Sequence, residues 1–480
     1  MRYVYLLPIL ACATVFAQAP ALSLGANREL FCDRHLIDHL DGAQLRLATP
    51  VARETVLQFD APWEGRYCGY VTVLQDGDRY RMYYRGLPNA GKDGSDAEVT
   101  CYAESADGVA WAKPPLGLHE AGGSTDNSIV LAGAAPYSHN FAPFLDARPG
   151  VPDSERYKAI AGTSDTGLHG FVSADGLRWQ KLDGPLITEG AFDSQNVAFW
   201  SEAEGQYLCY FRTWSEGGYK GYRSVSRATS KDFRTWSMPV AMTFGDTPME
   251  HLYTNQTQPY FRAPQVYVSL AARFMPGRRV LSAEAAQAAG VEEQYAGDCS
   301  DSVFITSRGG SVYNRTFMEG FIKPDIGLKN WSSRTNYPAC GIVPTGEQEM
   351  SFYVQADYGQ PTHHLVRYTL RPDGFASVWG PYAGGEMVTK QFTFTGDRLL
   401  LNFATSAAGG LRVEVQDAAG APLPGFALDD CPVMLGNFLE QPVVWKDASA
   451  LGSLAGQPIR LRFELQDAEL FALRFAEGVQ

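Results

Sequence analysis

The chain has 480 residues, a formal net charge of −13 and no basic run, which argues against nucleic acid or an anionic membrane as its main partner. Its hydrophobic content of 45% and charged content of 19% are typical of a globular protein, and its length allows two or three domains. Glycine and proline are plentiful, which favours many short strands and turns.

The first segment is predicted to be a secretory signal peptide. A positive start at Arg2 and an apolar stretch to Phe16 precede a small-residue cleavage site at Ala17, so residues 1–17 are excluded from the fold. The stretch that ends at Cys12 weakly resembles a lipobox, which would make this cysteine a lipid anchor. The predicted location is therefore secreted or periplasmic. No later segment has 18 uninterrupted apolar residues, so no membrane span is predicted.

Seven cysteines remain after cleavage, an odd number that leaves at least one of them unpaired. Several lie in strand-like runs, where a buried and inert thiol is expected. One or two disulfides would be compatible with an exported protein. The cysteines lack the spacing of zinc ligands, and the sequence predicts neither a metal site nor a cofactor. They are Cys32, Cys68, Cys101, Cys209, Cys299, Cys340 and Cys431.

A degenerate repeat occurs five times between about residues 55 and 382. Each copy has two strands, a tight Ser/Asp/Gly turn and an aromatic residue, and the Asp-Gly pair favours a hairpin turn with positive φ at the glycine. The spacing of roughly 57 to 77 residues suits a four-stranded blade with loops. The copies run from Ser105 to Trp111, Ser173 to Trp179, Ser230 to Trp236, Ser307 to Tyr313 and Arg371 to Trp379.

Five such copies predict an all-β fold with a five-bladed β-propeller over residues 55–382. The alternative, a β-sandwich with coincidental turns, is disfavoured by the five successive copies. After Tyr382 the repeat is lost, and apolar and polar residues alternate in long runs. Residues 383–480 are therefore predicted to form a C-terminal β-sandwich, and residues 18–54 an N-terminal segment.

Each repeat begins with a segment that is first polar and then apolar, such as FDSQNVAFW from Phe192 to Trp200. In a propeller the first strand of each blade faces the central channel, so the polar ends are expected to meet in one pocket. These segments supply Glu64, His139, Asn140, Asp193, Gln195, Asn196, Glu250, His251, Tyr253, Asn255, Arg334 and Asn336.

The order of acidic residues along these strands resembles that of glycoside hydrolase family 32 and the related family 43, which are five-bladed propeller glycosidases. Family 32 has an acidic nucleophile on the first inner strand, an Arg-Asp-Pro segment two blades later, and an acid/base Glu one blade further. It also has a C-terminal β-sandwich. The resemblance implies Glu64, or Asp60 in its place, as nucleophile, Asp193 as transition-state stabiliser and Glu250 as acid/base.

Paired carboxylates are what glycosidic cleavage requires, one to protonate the leaving oxygen and one opposite it. Aromatic residues such as Trp63 and Tyr253 would stack on sugar faces, and the amides would bind hydroxyls. The predicted function is that of a secreted glycoside hydrolase acting on an oligo- or polysaccharide.

Structural roles compete with each of these assignments. Asp193 would also suit the cap of a turn. Glu64 lies in a turn-like WEG segment, Glu250 would suit a solvated loop, and Arg334 would suit a structural ion pair.

Two other classes stay open. One is a non-catalytic carbohydrate-binding propeller. The other is a glycoside phosphorylase, in which a basic phosphate site replaces one carboxylate, built for instance from Arg334 with Arg262, Arg273 or His251. These classes differ in whether three acids, or one acid and a basic cluster, converge in the pocket.

Overall fold

A computed structural model describes residues 20–446 and 451–478 of the chain. The predicted signal peptide, including Cys12, lies outside the described residues. No helix in the described ranges is long and apolar enough to cross a lipid bilayer. The seven cysteines from Cys32 to Cys431 are all free thiols, and all but Cys340 are buried.

The first three blades are four-stranded antiparallel sheets whose strands follow one another in chain order from the channel outward. Blade one consists of Gly69–Asp76, Arg79–Gly86, Val99–Ser105 and Ile129–Leu131. Blade two consists of Ala142–Leu145, Tyr157–Thr163, Gly167–Ser173 and Gln180–Lys181. Blade three consists of Val197–Ser201, Gln206–Trp214, Arg223–Ser230 and Val240–Ala241.

The last two blades depart from this order. Blade four has an interrupted inner strand, and its strands are Leu252–Thr254, Thr257–Tyr260, Ala263–Met275 and Cys299–Ser307. Blade five consists of Val343–Gly346, Glu349–Ala356, His364–Leu370 and Val51–Gln58. The outermost strand of the last blade thus comes from the start of the chain and closes the ring.

The predicted repeat turns end the third strand of every blade. Ser105 Oγ accepts from the Gly108 amide (2.9 Å), and Asp107 Oδ1 accepts from the next two amides. Serine and aspartate repeat these contacts in blades two and three. All five turns place one residue at positive φ three positions after the strand end, which is the conformation that Asp-Gly predicts. These residues are Gly108 (73°), Gly176 (74°), Phe233 (64°), Gly310 (61°) and Asp373 (67°).

The tryptophan after each of the first three turns packs on the preceding blade. The Trp111 ring meets Tyr353 of blade five at 5.7 Å, and the Trp179 ring meets Tyr83 of blade one at 6.3 Å. Trp236 belongs to the cluster that Phe144 of blade two shares with blade three. Because the cores lie between blades in this way, the five-bladed propeller predicted from the repeat is confirmed.

Outside the propeller, eight strands form one sheet that folds over on itself into two layers. Its two longest strands, Arg398–Gln416 and Arg460–Ala476, pair throughout but shift register between Thr405 and Gly410. Leu401 and Phe403 on one half and Val413 and Phe463 on the other belong to one buried core, so the halves face each other as a β-sandwich. The remaining strands are Glu29–Leu30, Ile37–Asp41, Gln44–Leu47, Ala376–Gly380, Gly385–Thr389 and Asn437–Pro442. Leu22–Gly25 and Phe392–Phe394 form a separate two-stranded parallel sheet.

Strand membership crosses the boundaries predicted from the repeats. The N-terminal segment supplies three strands to the sandwich sheet, and Ala376–Gly380 pairs there as well. In the part of the chain that the structure describes, no strand from residues 390–475 enters a blade.

The helical elements are short. Two α-helices, Ala283–Ala289 and Glu293–Ala296, lie in an insertion between the second and third strands of blade four. Ser282 caps the first by accepting from the Ala285 amide (3.1 Å). The 3₁₀ turns are Tyr137–His139, Asp153–Glu155, Lys329–Trp331, Leu428–Asp430 and Leu451–Leu454.

Candidate active site at the channel mouth

Amide side chains fill the channel near the polar starts of the inner strands. Gln195 Nε2 donates to Thr72 Oγ1 (2.8 Å) and to the Val71 carbonyl (3.1 Å) of blade one. Gln256 Nε2 donates to Gln195 Oε1 (2.7 Å) and to the Pro338 carbonyl (2.9 Å). This layer joins blades one, three, four and five. Gln195, in the polar end of FDSQNVAFW, therefore lies in the channel.

The layer separates two cavities of different character. The cavity on the side where the inner strands end has a volume of about 410 Å³ and is lined mainly by apolar residues of all five inner strands. The cavity on the side where they begin is only about 20 Å³. Its lining is polar and aromatic, and consists of Gly69, Tyr70, Arg85, Asp93, Tyr253, Arg334, Tyr337, Gln355 and Tyr358. We refer to this second cavity and its surroundings as the channel mouth.

Arginines converge on the channel mouth from two blades. Arg85 and Arg212 hold the same repeat position, since each follows by five residues a tyrosine that pairs with the turn serine. Arg212 Nη1 lies 3.3 Å from Asp193 Oδ1, and its other nitrogen donates to the Tyr253 carbonyl. The guanidinium also lies 4.6 Å from the centre of the Tyr253 ring. It thereby joins blade three to blade four.

Two further arginines have no acidic partner. Arg223 lies over Trp214 (4.7 Å), and Arg334 lies over Tyr253 (5.6 Å) and Tyr295 (5.1 Å). Among the described residues no carboxylate lies within ion-pair distance of either guanidinium. Burial and then the neighbouring Arg212 charge lower the pKa of Arg223. The channel mouth therefore has an excess of positive charge that an anion would relieve.

His139 lies beside the same cavity. Its Nδ1 is 2.9 Å from Glu98 Oε1 and 3.1 Å from Arg85 Nη1, and its ring meets the edge of Tyr70 at 5.4 Å. Burial raises the pKa of Tyr70. The Tyr70 hydroxyl is thus a neutral donor, and it lies 3.5 Å from the Asp193 carbonyl.

Several polar atoms around the channel mouth are buried without a hydrogen-bond partner in the described part of the chain. Such atoms are rare in native proteins and point to a bound ligand or water. They are Arg85 Nε, His139 Nε2, Trp214 Nε1, Arg223 Nε and the Tyr337 hydroxyl.

Of the residues predicted from the sequence, four meet at the channel mouth. They are His139, Asp193, Tyr253 and Arg334, and the Asp193 side chain is about one-third exposed, at 32%. His251 lies next to them, because its Nδ1 accepts from the Arg223 amide (3.1 Å).

Glu64 is instead fully buried in contacts between blades one and five. Its carboxylate accepts from Lys113 Nζ (2.6 Å), from the Tyr84 hydroxyl (2.5 Å) and from the Ala61 amide (3.0 Å). Asp60 binds the same lysine at 3.0 Å. Trp63 packs on the core cluster beside them. None of these contacts is shared with Asp193, so the predicted nucleophile position does not face the predicted stabiliser.

Glu250 lines a separate cavity of about 470 Å³. Its carboxylate accepts from Arg273 Nη1 (2.8 Å) and from Arg315 Nη2 (2.5 Å). Arg273 also binds Asp301 at 2.5 Å. The predicted triad of carboxylates around one pocket is therefore not formed, because Glu64 and Glu250 are each held by basic partners elsewhere.

The remaining amide side chains predicted for the site are buried, and most of them form hydrogen bonds with main-chain groups. Asn140 Nδ2 donates to the Phe192 carbonyl, and its Oδ1 accepts from the Gly162 amide (3.0 Å). Gln195 belongs to the channel layer described above. Asn196, Asn255 and Asn336 likewise bind main-chain groups at the starts of inner strands.

Residues at the mouth that come from second strands and loops were not predicted from the sequence. In an antiparallel pair the end of the second strand lies beside the start of the first, so Arg85 and Arg212 reach the mouth. The signal was the repeated pattern Y-x-x-Y-[FY]-R, which ends at these two arginines. Asp93 and Glu98 follow the second strand of blade one, and Tyr295 comes from the helical insertion.

No protein-family model matches the chain, and no curated protein matches it. Solved structures with a similar arrangement include one titled "Glycoside hydrolase", with 14% identity and a TM-score of 0.44, covering 68% of this chain and 92% of that one. Another is an N-acetylgalactosamine deacetylase from F. plautii, with 13% identity, a TM-score of 0.44 and coverages of 69% and 96%. A third is the β-1,2-mannobiose phosphorylase from Listeria innocua, with 10% identity, a TM-score of 0.42 and coverages of 70% and 98%. At these values the similarity assigns no activity to the chain.

Proposed function

We propose that the protein is an exported carbohydrate-active enzyme whose channel mouth binds phosphate and cleaves a glycosidic bond by phosphorolysis. The observation that supports this most is the charge at the mouth. One partly exposed carboxylate, Asp193, adjoins a cluster of arginines in which Arg223 and Arg334 have no acidic partner. A half-buried arginine without an anion loses part of its hydration uncompensated, and phosphate matches its planar donors.

The chemistry follows from this pairing. Hydrogen phosphate held by the arginines would form a bond to the anomeric carbon while the glycosidic C–O bond breaks, and its proton would end on the leaving sugar oxygen. The Asp193 carboxylate would stabilise positive charge that develops on the sugar ring in the transition state. Tyrosine rings around the mouth would pack on the sugar faces.

Hydrolysis is the second candidate, and one observation favours it. Asp93 lines the mouth with an exposed side chain, and Tyr70, which lines it as well, donates to the Asp193 carbonyl. Two accessible carboxylates could serve as an acid and a base in place of the predicted triad.

The test is turnover of a panel of neutral and uronic-acid oligosaccharides with and without phosphate. Phosphorolysis predicts a glycosyl phosphate whose formation requires phosphate, and Arg334→Gln should raise the KM for phosphate about 10- to 100-fold. Asp193→Asn should lower kcat about 100-fold or more. Arg178→Gln is the matched control, since Arg178 is exposed and pairs with Asp175 on the turn of blade two.

Free sugar formed at the same rate without phosphate would assign hydrolysis instead. Saturable glycan binding without any cleavage would favour the carbohydrate-binding propeller.

A further inference from the structure

We propose that Asp93 and His139 bind a divalent metal ion at the edge of the channel mouth, with Glu98 orienting the histidine. Atoms of these three side chains lie within 4.8 Å of one another. The three residues come from the loop after the second strand of blade one and from the turn before blade two.

The contacts fix which histidine nitrogen is available. Glu98 Oε1 lies 2.9 Å from His139 Nδ1, and Arg85 Nη1 lies 3.1 Å from the same nitrogen. Because the carboxylate is the nearer group and can only accept, we assign the Nδ1 proton to the bond with Glu98. The lone pair is then on Nε2, which is buried and has no hydrogen-bond partner among the described residues. A carboxylate that holds the far nitrogen of a metal-binding histidine is a recurrent arrangement in metalloproteins.

The second ligand faces this lone pair. Asp93 Oδ2 lies 3.9 Å from His139 Nε2, a separation that one ion bridges when each bond is about 2.1 Å long. Glu98 is held in turn, because its Oε2 accepts from the Gly94 amide (3.0 Å). The loop that carries Asp93 is thus tied to the carboxylate that orients the histidine.

Charge and ligand type define the class of ion. Asp93 and Glu98 supply two negative charges, and Arg85, 3.8 Å from Glu98, supplies one positive charge on the Nδ1 side of the ring. One imidazole and one carboxylate suit a divalent ion of the manganese or zinc type. Two protein ligands leave positions for water and for a sugar oxygen. The site departs from the sequence analysis, which predicted no metal.

Binding of Mn²⁺ to the chelator-treated full chain, without any substrate, tests the site. Mn²⁺ is chosen because it binds thiols weakly, so the free cysteines should not contribute to the signal. We expect one bound ion, measured by loss of the free Mn²⁺ signal in electron paramagnetic resonance, and pulsed spectra that show coupling to one imidazole nitrogen. Asp93→Asn should weaken binding at least tenfold. Asp96→Asn, an equal charge change on the same exposed loop, should leave it unchanged.

The proposal is overturned if the wild-type chain binds no Mn²⁺ at millimolar concentration, if no nitrogen coupling is seen, or if both variants bind alike. Since no substrate is present, the result is independent of whether the protein is a phosphorylase.

Discussion

Glu64 illustrates how a residue that looks catalytic in the sequence acquires a structural role. Its two oxygens accept three hydrogen bonds. Removing the charge leaves Lys113 with the exposed Asp60 as an ionic partner and with the Gln58 carbonyl. We expect Glu64→Gln to lower the free energy of unfolding by about 1–3 kcal/mol, because a buried group loses its ionic partner. Urea denaturation measures this change, while kcat per folded molecule should stay the same.

Asp60→Asn is the control for this substitution. Asp60 binds the same lysine but its side chain is 73% exposed, so the loss should stay below about 1 kcal/mol. A Glu64→Gln variant of normal stability and greatly reduced kcat would place Glu64 in the active site after all.

Side-chain direction explains why some site residues could be predicted and others could not. Asp193 and Gln195 lie just before the strand Val197–Ser201, and both reach the channel or its mouth. Glu250 lies just before Leu252–Thr254 but pairs with Arg273 and Arg315 in a separate cavity. The order of the acidic residues along the chain could therefore be read from the sequence. The direction of the Glu250 side chain could not, because it depends on where the interrupted inner strand of blade four begins. Its partners Arg273 and Arg315 are distant in sequence, and no local sequence pattern predicts these ion pairs.

At the scale of elements, the insertion in blade four closes the channel mouth. Tyr295 packs on Tyr67 (5.3 Å), its carbonyl accepts from the Ser333 amide (2.8 Å), and the Gly290 carbonyl accepts from Arg66 (3.2 Å). The enclosed volume of about 20 Å³ holds roughly one water molecule. A sugar ring needs far more room, so we expect the insertion to move away when substrate enters.

Glu292 is the residue on which this motion can be tested, because it accepts a hydrogen bond from the buried Tyr67 hydroxyl. Glu292→Gln should speed amide hydrogen exchange across 283–296 by several-fold, as the charge-assisted bond is lost. Glu293→Gln should not, since Glu293 pairs with Arg279 inside the insertion. Equal exchange in the two variants would show that Glu292 does not hold the insertion closed.

The repeat turns were predictable because each needs one residue at positive φ. This need is visible in the sequence wherever an Asp-Gly pair occurs. The closing strand Val51–Gln58 contains no comparable sequence pattern. Its place beside His364–Leu370 follows from closure of the ring, which no local pattern encodes. The same holds for the N-terminal strands that join the sandwich.

At the scale of the whole molecule, Asp373 joins the propeller to the sandwich. It occupies the positive-φ position of the last repeat turn and is fully buried. Its carboxylate binds Arg28 (3.1 Å) from the N-terminal segment, Arg262 (3.1 Å) and the Tyr260 hydroxyl (2.9 Å) from blade four, and Asn402 Nδ2 (2.9 Å) from the sandwich. The turn that defines the repeat thus also fixes the second domain on the propeller.

Asp373→Asn isolates the charge of this junction, because asparagine tolerates the same left-handed backbone. We expect the free energy of unfolding in urea to fall by about 3 kcal/mol, since two arginines lose a buried partner. Glu440→Gln is the control: this carboxylate binds the same two arginines from the rim, and Arg474 as well. Because it is 36% exposed, its loss should cost less than about 1 kcal/mol. If the two variants lose equal stability, the junction depends on the rim carboxylate as much as on the buried one, and Asp373 is not the residue that holds the sandwich on the propeller.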